Sequence, residues 1–379
     1  MQWYDKNRRD LPWRTESPRD PYKVWVSEIM LQQTRVEAVK NYYINWMEHF
    51  PDIPTLAAAE EEDVVRQWQG LGYYSRVRNL HTAAREVMET FGGRVPEEGK
   101  EIRKLKGVGD YTAGAILSMA YGKRETAVDG NVLRVFARIY NIEENILSAK
   151  VKKEITELVK ARQDATRPGD FNEALMDLGA TVCIPGQPRC EACPLSAVCR
   201  AKAMGREKAI PMRVAKKEVP VEPVTVFVVK AGDYYLLHRR PAKGLLAGMW
   251  EFPNAAGEGG QGKAAVADLL AGLGIGITGS MGKRKPVKQI RHVFSHKIWQ
   301  MEVYLAEAVP ETVKYTLPKR TLMRYNNDTS GNISEDSDRV ALSPGWRWVP
   351  LPELTDYNLA GPHNIIGKEL LELHVNSDN

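Results

Sequence analysis

Apolar residues recur at helical spacing through the first half of the chain. Asp20-Pro21 places an N-cap before a proline suited to the first helical position. Trp25, Ile29, Val36, Val39 and Tyr43 then follow one helical stripe. "AAAEEEDVVRQWQGLGYYSRVRNLHTAAREVMETFGG" predicts two helical segments around a Gly-Leu-Gly break, stopped by Gly92-Gly93. Further helical pattern runs through "FNEALMDLGATVC". The period changes after residue 204. "GREKAIPMRVAKKEVPVEP" is basic, proline-bearing and aperiodic, and predicts a linker over 205–223. "VTVFVVKAGDYYLLHRR" predicts two strands around a Gly-Asp turn, and "KIWQMEVYLAEA" another strand. "TLPKRTLMRYNNDTSGNISEDSDRV", near 315–340, predicts a long exposed or partly disordered loop. The expectation is a helical domain over 1–204 and a smaller α+β domain over 224–379.

Composition narrows this picture. A chain of 379 residues, 43% hydrophobic and 27% charged, fits a globular protein of more than one domain. No apolar run reaches the roughly 18 residues of a spanning helix, and "MQWYDKNRRDLPWR" lacks the apolar core of a secretory signal. The expectation is a cytoplasmic protein without a membrane partner. The sequons at Asn327 and Asn332 are then chance matches. A net charge of +5 permits a nucleic-acid partner without demanding one.

All four cysteines, Cys183, Cys190, Cys193 and Cys199, lie in 183–199 with spacing C-x6-C-x2-C-x5-C. Reduced cytosolic thiols argue against disulfides. One C-x2-C without histidine is a poor match to structural zinc, and loops of this length can wrap a [4Fe–4S] cluster. Zinc and unligated thiols stay as alternatives. Arg189 and Arg200 flank the run, to offset thiolate charge or to contact phosphate.

"LKGVGDYTAGA" carries Gly107-Val108-Gly109 ahead of a helix starting near Tyr111. Such a turn can present N–H groups to an anion, or can be a plain helix–helix turn. Asp110 would repel phosphate and can instead cap the second helix. Glu28 has Val24, Trp25 and Leu31 as helical neighbours. A carboxyl on that face needs a buried partner, such as an arginine, or a raised pKa that fits it to act as a general acid. Asp129, in "AVDGNVLRV", can cap the next helix, as can Asn131, or can face positive charge developing on a sugar.

These motifs, in this order, resemble the helix–hairpin–helix DNA glycosylases, and specifically the MutY-type adenine DNA glycosylases. The resemblance covers nearly the whole chain. It implies a mainly α helix–hairpin–helix domain with a [4Fe–4S] loop at 183–199, and a MutT-like α+β domain that recognises 8-oxoguanine. It implies a monomeric, monofunctional enzyme of base excision repair that flips adenine out of double-stranded DNA where it lies opposite 8-oxoguanine, working in the nucleoid. Glu28 matches the catalytic acid, Asp129 the carboxylate facing the sugar, with Asn131 beside it, and Tyr111 an active-site tyrosine. Trp13, Arg14, Leu31 and Glu173 match the adenine pocket. Gln33 and Tyr73 match residues that wedge into the duplex, and Thr34 one that contacts the lesion. Leu71, Gly107, Val108 and Gly109 join the DNA-facing set, and Phe294-Ser295-His296 matches the loop that reads 8-oxoguanine.

Related bifunctional enzymes carry a Schiff-base lysine at the place of Tyr111, and a phenol cannot replace it. A glycosylase/lyase, a non-catalytic iron–sulfur DNA-binding protein and a nucleotide hydrolase are the rival readings. The stretch after Gly244 lacks the paired glutamates with which active MutT-like hydrolases hold Mg²⁺, so recognition without hydrolysis is expected.

Overall fold

A computed structural model describes residues 1–15, 18–212, 218–280, 285–313, 316–317 and 342–377. They form two units, Met1–Lys216 and Lys217–Asn379. Residues 318–341, which hold most of the expected polar loop and both sequons, lie outside the described residues.

The first unit is helical. Helix α1 (Gln2–Asn7) and a 3-10 turn (Pro12–Arg14) precede α2 (Pro21–Leu31) and α3 (Val36–His49). The stripe from Trp25 to Tyr43 therefore spans two helices, not one. The break falls at Gln32–Arg35, where Gln33 takes a left-handed φ of 56° that ends α2. Asp20 caps α2 by accepting from the backbone N–H of Tyr22 at 2.7 Å, with Pro21 in the first turn. Every residue from Val24 to Met30 is buried, so α2 is a central helix rather than an amphipathic surface one.

Helices α4 (Ile53–Ala58), α5 (Glu61–Gln67) and α6 (Ser75–Phe91) surround the Gly-Leu-Gly break, and Gly92 ends α6 in the left-handed conformation. Then come α7 (Gly99–Ile102), α8 (Asp110–Met119), α9 (Gly130–Tyr140), α10 (Ala149–Arg162), α11 (Pro168–Thr181) and α12 (Arg200–Ala203). Helices α8, α9 and α11 enclose a core that includes Val132, Phe136, Leu175 and Leu178.

The expected linker is partly structured. Ile210 is buried in the first unit and its carbonyl accepts from Arg138, while the first strand of the second unit begins at Val221. Composition alone hid both ends, because a buried anchor can be a single apolar residue.

The second unit holds a mixed seven-stranded sheet. β1 (Val221–Ala231) and β2 (Tyr234–Arg239) form the expected hairpin around Gly232-Asp233. β3 (Trp250–Glu251), β4 (Asn254–Ala256), β5 (Lys288–Val293), β6 (Ile298–Glu307) and β7 (Trp346–Pro350) complete it. The main path runs β3-β2-β1-β6-β5, and β1 pairs with β6 in parallel. Val224, Val226 and Val228 face one core, and Phe227, Val229 and Ala231 the other, as the two-residue period requires. Helix α13 (Gly259–Gly272) packs Val266 and Leu270 on one face, and Ile366 of the C-terminal helix (Gly361–Ser377) packs on the other. Among the described residues no helix is long and apolar enough to cross a membrane.

The segment that delivers Asp129 has no secondary structure of its own. Asn172, fully buried on α11, holds it by donating to the Glu125 carbonyl at 2.9 Å and accepting from the Ala127 N–H at 3.3 Å. Asn172→Ala leaves the Ala127 N–H without its partner and the Glu125 carbonyl with the Gln163 amide alone. The expected loss is about 1–3 kcal/mol, measured as the urea-unfolding midpoint of the helical unit by far-ultraviolet circular dichroism.

Candidate active site

A cleft of about 720 Å³ opens in the first unit, between the ends of α2, α8, α9 and α11. Glu28, Tyr111, Asp129 and Asn131 all line it. So do the four residues of the expected adenine pocket, Trp13, Arg14, Leu31 and Glu173. Trp13 and Glu173, 160 positions apart in sequence, are thus drawn together by helix packing rather than by any local motif.

Glu28 is buried, and its side chain accepts a 2.6 Å hydrogen bond from the Tyr111 hydroxyl. Among the described residues no arginine or lysine forms an ion pair with it, so the arginine-paired alternative does not hold. Burial pushes its carboxyl up to about 7. The Tyr111 bond opposes that rise, while the charges of Glu173 and Asp129 add to it. The Tyr111 phenol is itself raised well above its ordinary value, first by burial and then by Glu28. It keeps its proton and donates it.

Asp129 fills the capping role open to it in sequence. It is the N-cap of α9, accepting from the Val132 N–H at 2.8 Å. Its other oxygen accepts from Asn131 Nδ2 at 2.7 Å. Asn131 therefore orients the carboxylate rather than capping the helix. The Asn131 oxygen accepts from Arg134 at 2.7 Å, and Arg134 also donates to the carbonyls of Gly179 and Cys183, each at 2.8 Å. A Cβ at Gly179 would lie 2.5 Å from the Asn131 Cβ, so only glycine lets α11 approach this closely.

The opposite wall is ionic. Arg14 donates to Asp177 at 2.8 and 3.1 Å, and its Nε lies 3.0 Å from Glu173. Arg9 donates to Asp177 at 2.7 Å. Burial alone would raise the Asp177 carboxyl, but Arg14 and Arg9 hold it below the usual carboxylate range. Glu173 accepts from Arg19, at 2.7 Å through one nitrogen, and from the Tyr4 hydroxyl. Arg9, Met176 and Ala180 line the cleft but were not singled out in the sequence. Glu173, Met176 and Ala180 do recur at the three- and four-residue spacing of one helix face, a signal that was available.

The duplex-facing candidates divide. Gln33 and Thr34 line the cleft mouth, and Gln33 is exposed in a loop rather than on a helix. Tyr73 is 45% exposed with a left-handed φ of 48°. Leu71 is buried, so its side chain faces the core rather than a duplex. In the glycine hairpin, Gly107 takes φ 79°, and a Cβ there would meet Asn79 at 2.8 Å. Val108 is buried and its N–H is taken by the Leu105 carbonyl at 3.1 Å, so it is not offered to an anion. Helix α8 starts at Asp110 with Gly109 as its N-cap and no side-chain cap. Asp110 does not cap it either, but pairs with Arg103 at 2.9 Å.

Cys183, Cys190, Cys193 and Cys199 line one small cavity beside Arg138, Lys202 and Glu207. Arg138 donates to the Cys183 sulfur at 3.2 Å and to the Ile184 carbonyl at 2.8 Å. Among the described residues no three His, Cys, Asp or Glu side chains are placed to hold a single metal ion. All four are free thiols, Cys183 buried and the other three partly buried.

In the second unit, Phe294, Ser295 and His296 form the turn between β5 and β6, closed by a 2.8 Å bond from the Phe294 N–H to the Lys297 carbonyl. Phe294 packs edge-on against Trp299 and His292, while Ser295 and His296 are exposed. Between residues 254 and 273 the only acidic residues are Glu258 and Asp268.

Residues 26–161 match the HhH-GPD superfamily of base excision DNA repair proteins, and residues 224–368 match the NUDIX domain. The chain is 38% identical to the adenine DNA glycosylase of Rattus norvegicus, over 90% of this chain and 76% of that one. It is 35% identical to the enzyme of Homo sapiens, over 84% and 68%, and 34% identical to that of Schizosaccharomyces pombe, over 83% and 82%. Among solved structures it is similar to a thermostable thymine-DNA glycosylase, with a TM-score of 0.49 and 31% identity over 54% of this chain and 93% of that one.

Burial of Glu28 gives a stability test. A carboxyl raised on folding favours the folded state below its ordinary value near 4.5 and loses that advantage as pH rises to about 7. Glu28→Gln removes the titration. Its Tm is expected to gain on that of the natural chain as pH rises from about 5 to 8, measured by scanning calorimetry.

Proposed function

The chain belongs to the adenine DNA glycosylase family and is a DNA N-glycosylase of base excision repair; we propose that it excises adenine mispaired with 8-oxoguanine in duplex DNA, without cutting the strand. The observation that carries this reading is the buried Glu28, raised to about 7 and hydrogen-bonded to Tyr111 in a cleft shared with Asp129.

The adenine must leave the base stack before its glycosidic bond is reachable. Once it lies between Leu31, Trp13 and the α11 wall, Glu28 gives its proton to N7. The C1′–N9 bond then breaks with its electron pair going to the base, which leaves as neutral adenine. Positive charge develops on the sugar, and the Asp129 carboxylate, oriented by Asn131 and the Val132 N–H, faces it. Water adds to C1′, and the proton it releases restores Glu28. Tyr111 fixes the acid's orientation. A Schiff base needs an amine, and among the described residues no lysine lines the cleft.

Ser295 and His296, exposed at a turn anchored by Phe294, suit contact with the edge of 8-oxoguanine. With so few acids on and before α13, the second unit is a recognition module and not a hydrolase. The cleft is built within one unit of one chain, so a monomer suffices. Cys183, Cys190, Cys193 and Cys199 would hold a [4Fe–4S] cluster whose part is structural, shaping the loop 184–189 toward DNA.

Single-turnover base release from adenine opposite 8-oxoguanine, with adenine opposite thymine as control, tests this function. Release is expected only from the mispair, falling as pH rises above about 7, and lost by more than roughly 100-fold in Glu28→Gln. Borohydride should trap little or no covalent complex, and a nucleoside triphosphate with Mg²⁺ should stay intact. Equal release from both duplexes would refute the specificity.

A further inference from the structure

Arg76 is a buried cation with no carboxylate partner among the described residues. One terminal nitrogen donates to the carbonyls of Ile29, Met30 and Gln32 at 2.8, 3.0 and 2.6 Å. The other donates to Thr34 Oγ1 at 3.3 Å and to the carbonyls of Leu71 and Gly72 at 3.1 and 3.0 Å. The guanidinium also lies over the rings of Trp68 and Tyr73, at 5.2 and 5.5 Å. Thus a single side chain ties the end of α2 and the loop after it to the Gly-Leu-Gly break, segments about forty residues apart in sequence.

Both tied segments hold a residue in an unfavourable backbone state. Gln33 has φ 56° and Tyr73 φ 48°, the left-handed region that large side chains seldom adopt. Each is exposed, and each sits one residue from a carbonyl that Arg76 grips. Left alone, these loops would relax toward extended or right-handed conformations. A planar fork of five N–H donors can hold several carbonyls at fixed angles, which an ammonium on a flexible stem cannot.

We propose that Arg76 is a positioning residue: it locks the Gln33 and Tyr73 loops together into one wedge, formed before DNA arrives, that opens the duplex for base extrusion. The inference rests on the proposed excision of an extruded adenine and deepens it. Arg76 touches no reacting atom. Its effect lies in the flipping step, because a preformed wedge does not spend binding energy on ordering its own loops. The proton transfer from Glu28 does not depend on it.

Hydrogen exchange of the full chain without DNA gives the first test. In the natural protein the bonded amides of Thr34 in one loop and of Leu71 and Arg76 flanking the other should open with one shared free energy, since one side chain closes both loops. Arg76→Lys and Arg76→Met should speed exchange at both loops together by roughly tenfold or more, with Lys the milder. Separate openings in the natural chain, or acceleration at one loop alone, would overturn the proposal.

The second test uses duplex with 2-aminopurine beside the target adenine, followed by stopped-flow fluorescence. Arg76→Lys should unstack the base more slowly, while the apparent pKa of base release at saturating protein stays that of the natural enzyme. Unchanged unstacking in Arg76→Lys would overturn the proposal, and the lysine variant decides where the methionine variant does not fold. If the natural chain released no adenine, the excision reading would fail, while the exchange measurement would still judge Arg76.

Discussion

One desolvated carboxyl governs this site. Glu28 lies on α2, a helix buried almost all round, with one hydrogen-bond donor and no ion-pair partner among the described residues. An ionised group there forfeits its hydration with only the Tyr111 hydroxyl in recompense, so the proton is retained at a pH where an exposed glutamate would have lost it. The elements around α2 set where that carboxyl sits. The N-cap at Asp20 starts the helix, the turn at Gln32–Arg35 ends it beside the cleft, and Tyr111 arrives from α8 to fix the acid.

The neighbouring carboxylates make the contrast plain. Asp177 and Glu173 are as buried as Glu28, yet they are surrounded by Arg9, Arg14, Arg19 and Tyr4. Their charge is met by counter-charge, and in Asp177 the arginines outweigh burial. Asp129 follows a third course, held by a backbone N–H and the Asn131 amide at the start of α9. Three treatments of one functional group around one cleft yield a carboxyl raised by burial, an ion-paired wall and a helix-capping side chain. The want of an ion-pair partner for Glu28 among the described residues is thus a local property, since arginines are close by and spent on other partners.

The sequence carried much of this, for identifiable reasons. Helices with long apolar periods, the β1–β2 hairpin and the packed cysteine run leave local signatures, as does an acid among apolar neighbours. What escaped was set by tertiary contact or by backbone conformation. The Trp25–Tyr43 stripe kept its phase across a four-residue break, so periodicity could not mark the end of α2. Leu71 and Val108 sit in motifs expected to face DNA yet turn their side chains inward, which a motif cannot tell. Arg76 looks like any arginine on a polar helix face, and only the fold brings its six acceptors to it. Arg9 and Tyr4 act on α11 from more than 160 residues away, beyond any local rule.

The central claim is that Glu28 is an acid near neutrality before any substrate binds. The most direct measurement is carbon-13 NMR titration of the full chain with labelled glutamate side chains, the Glu28 signal being assigned by its loss in Glu28→Gln. The account predicts a carboxyl titrating at about 7. A Glu28 signal titrating near 4.5, with the other glutamates, would contradict it.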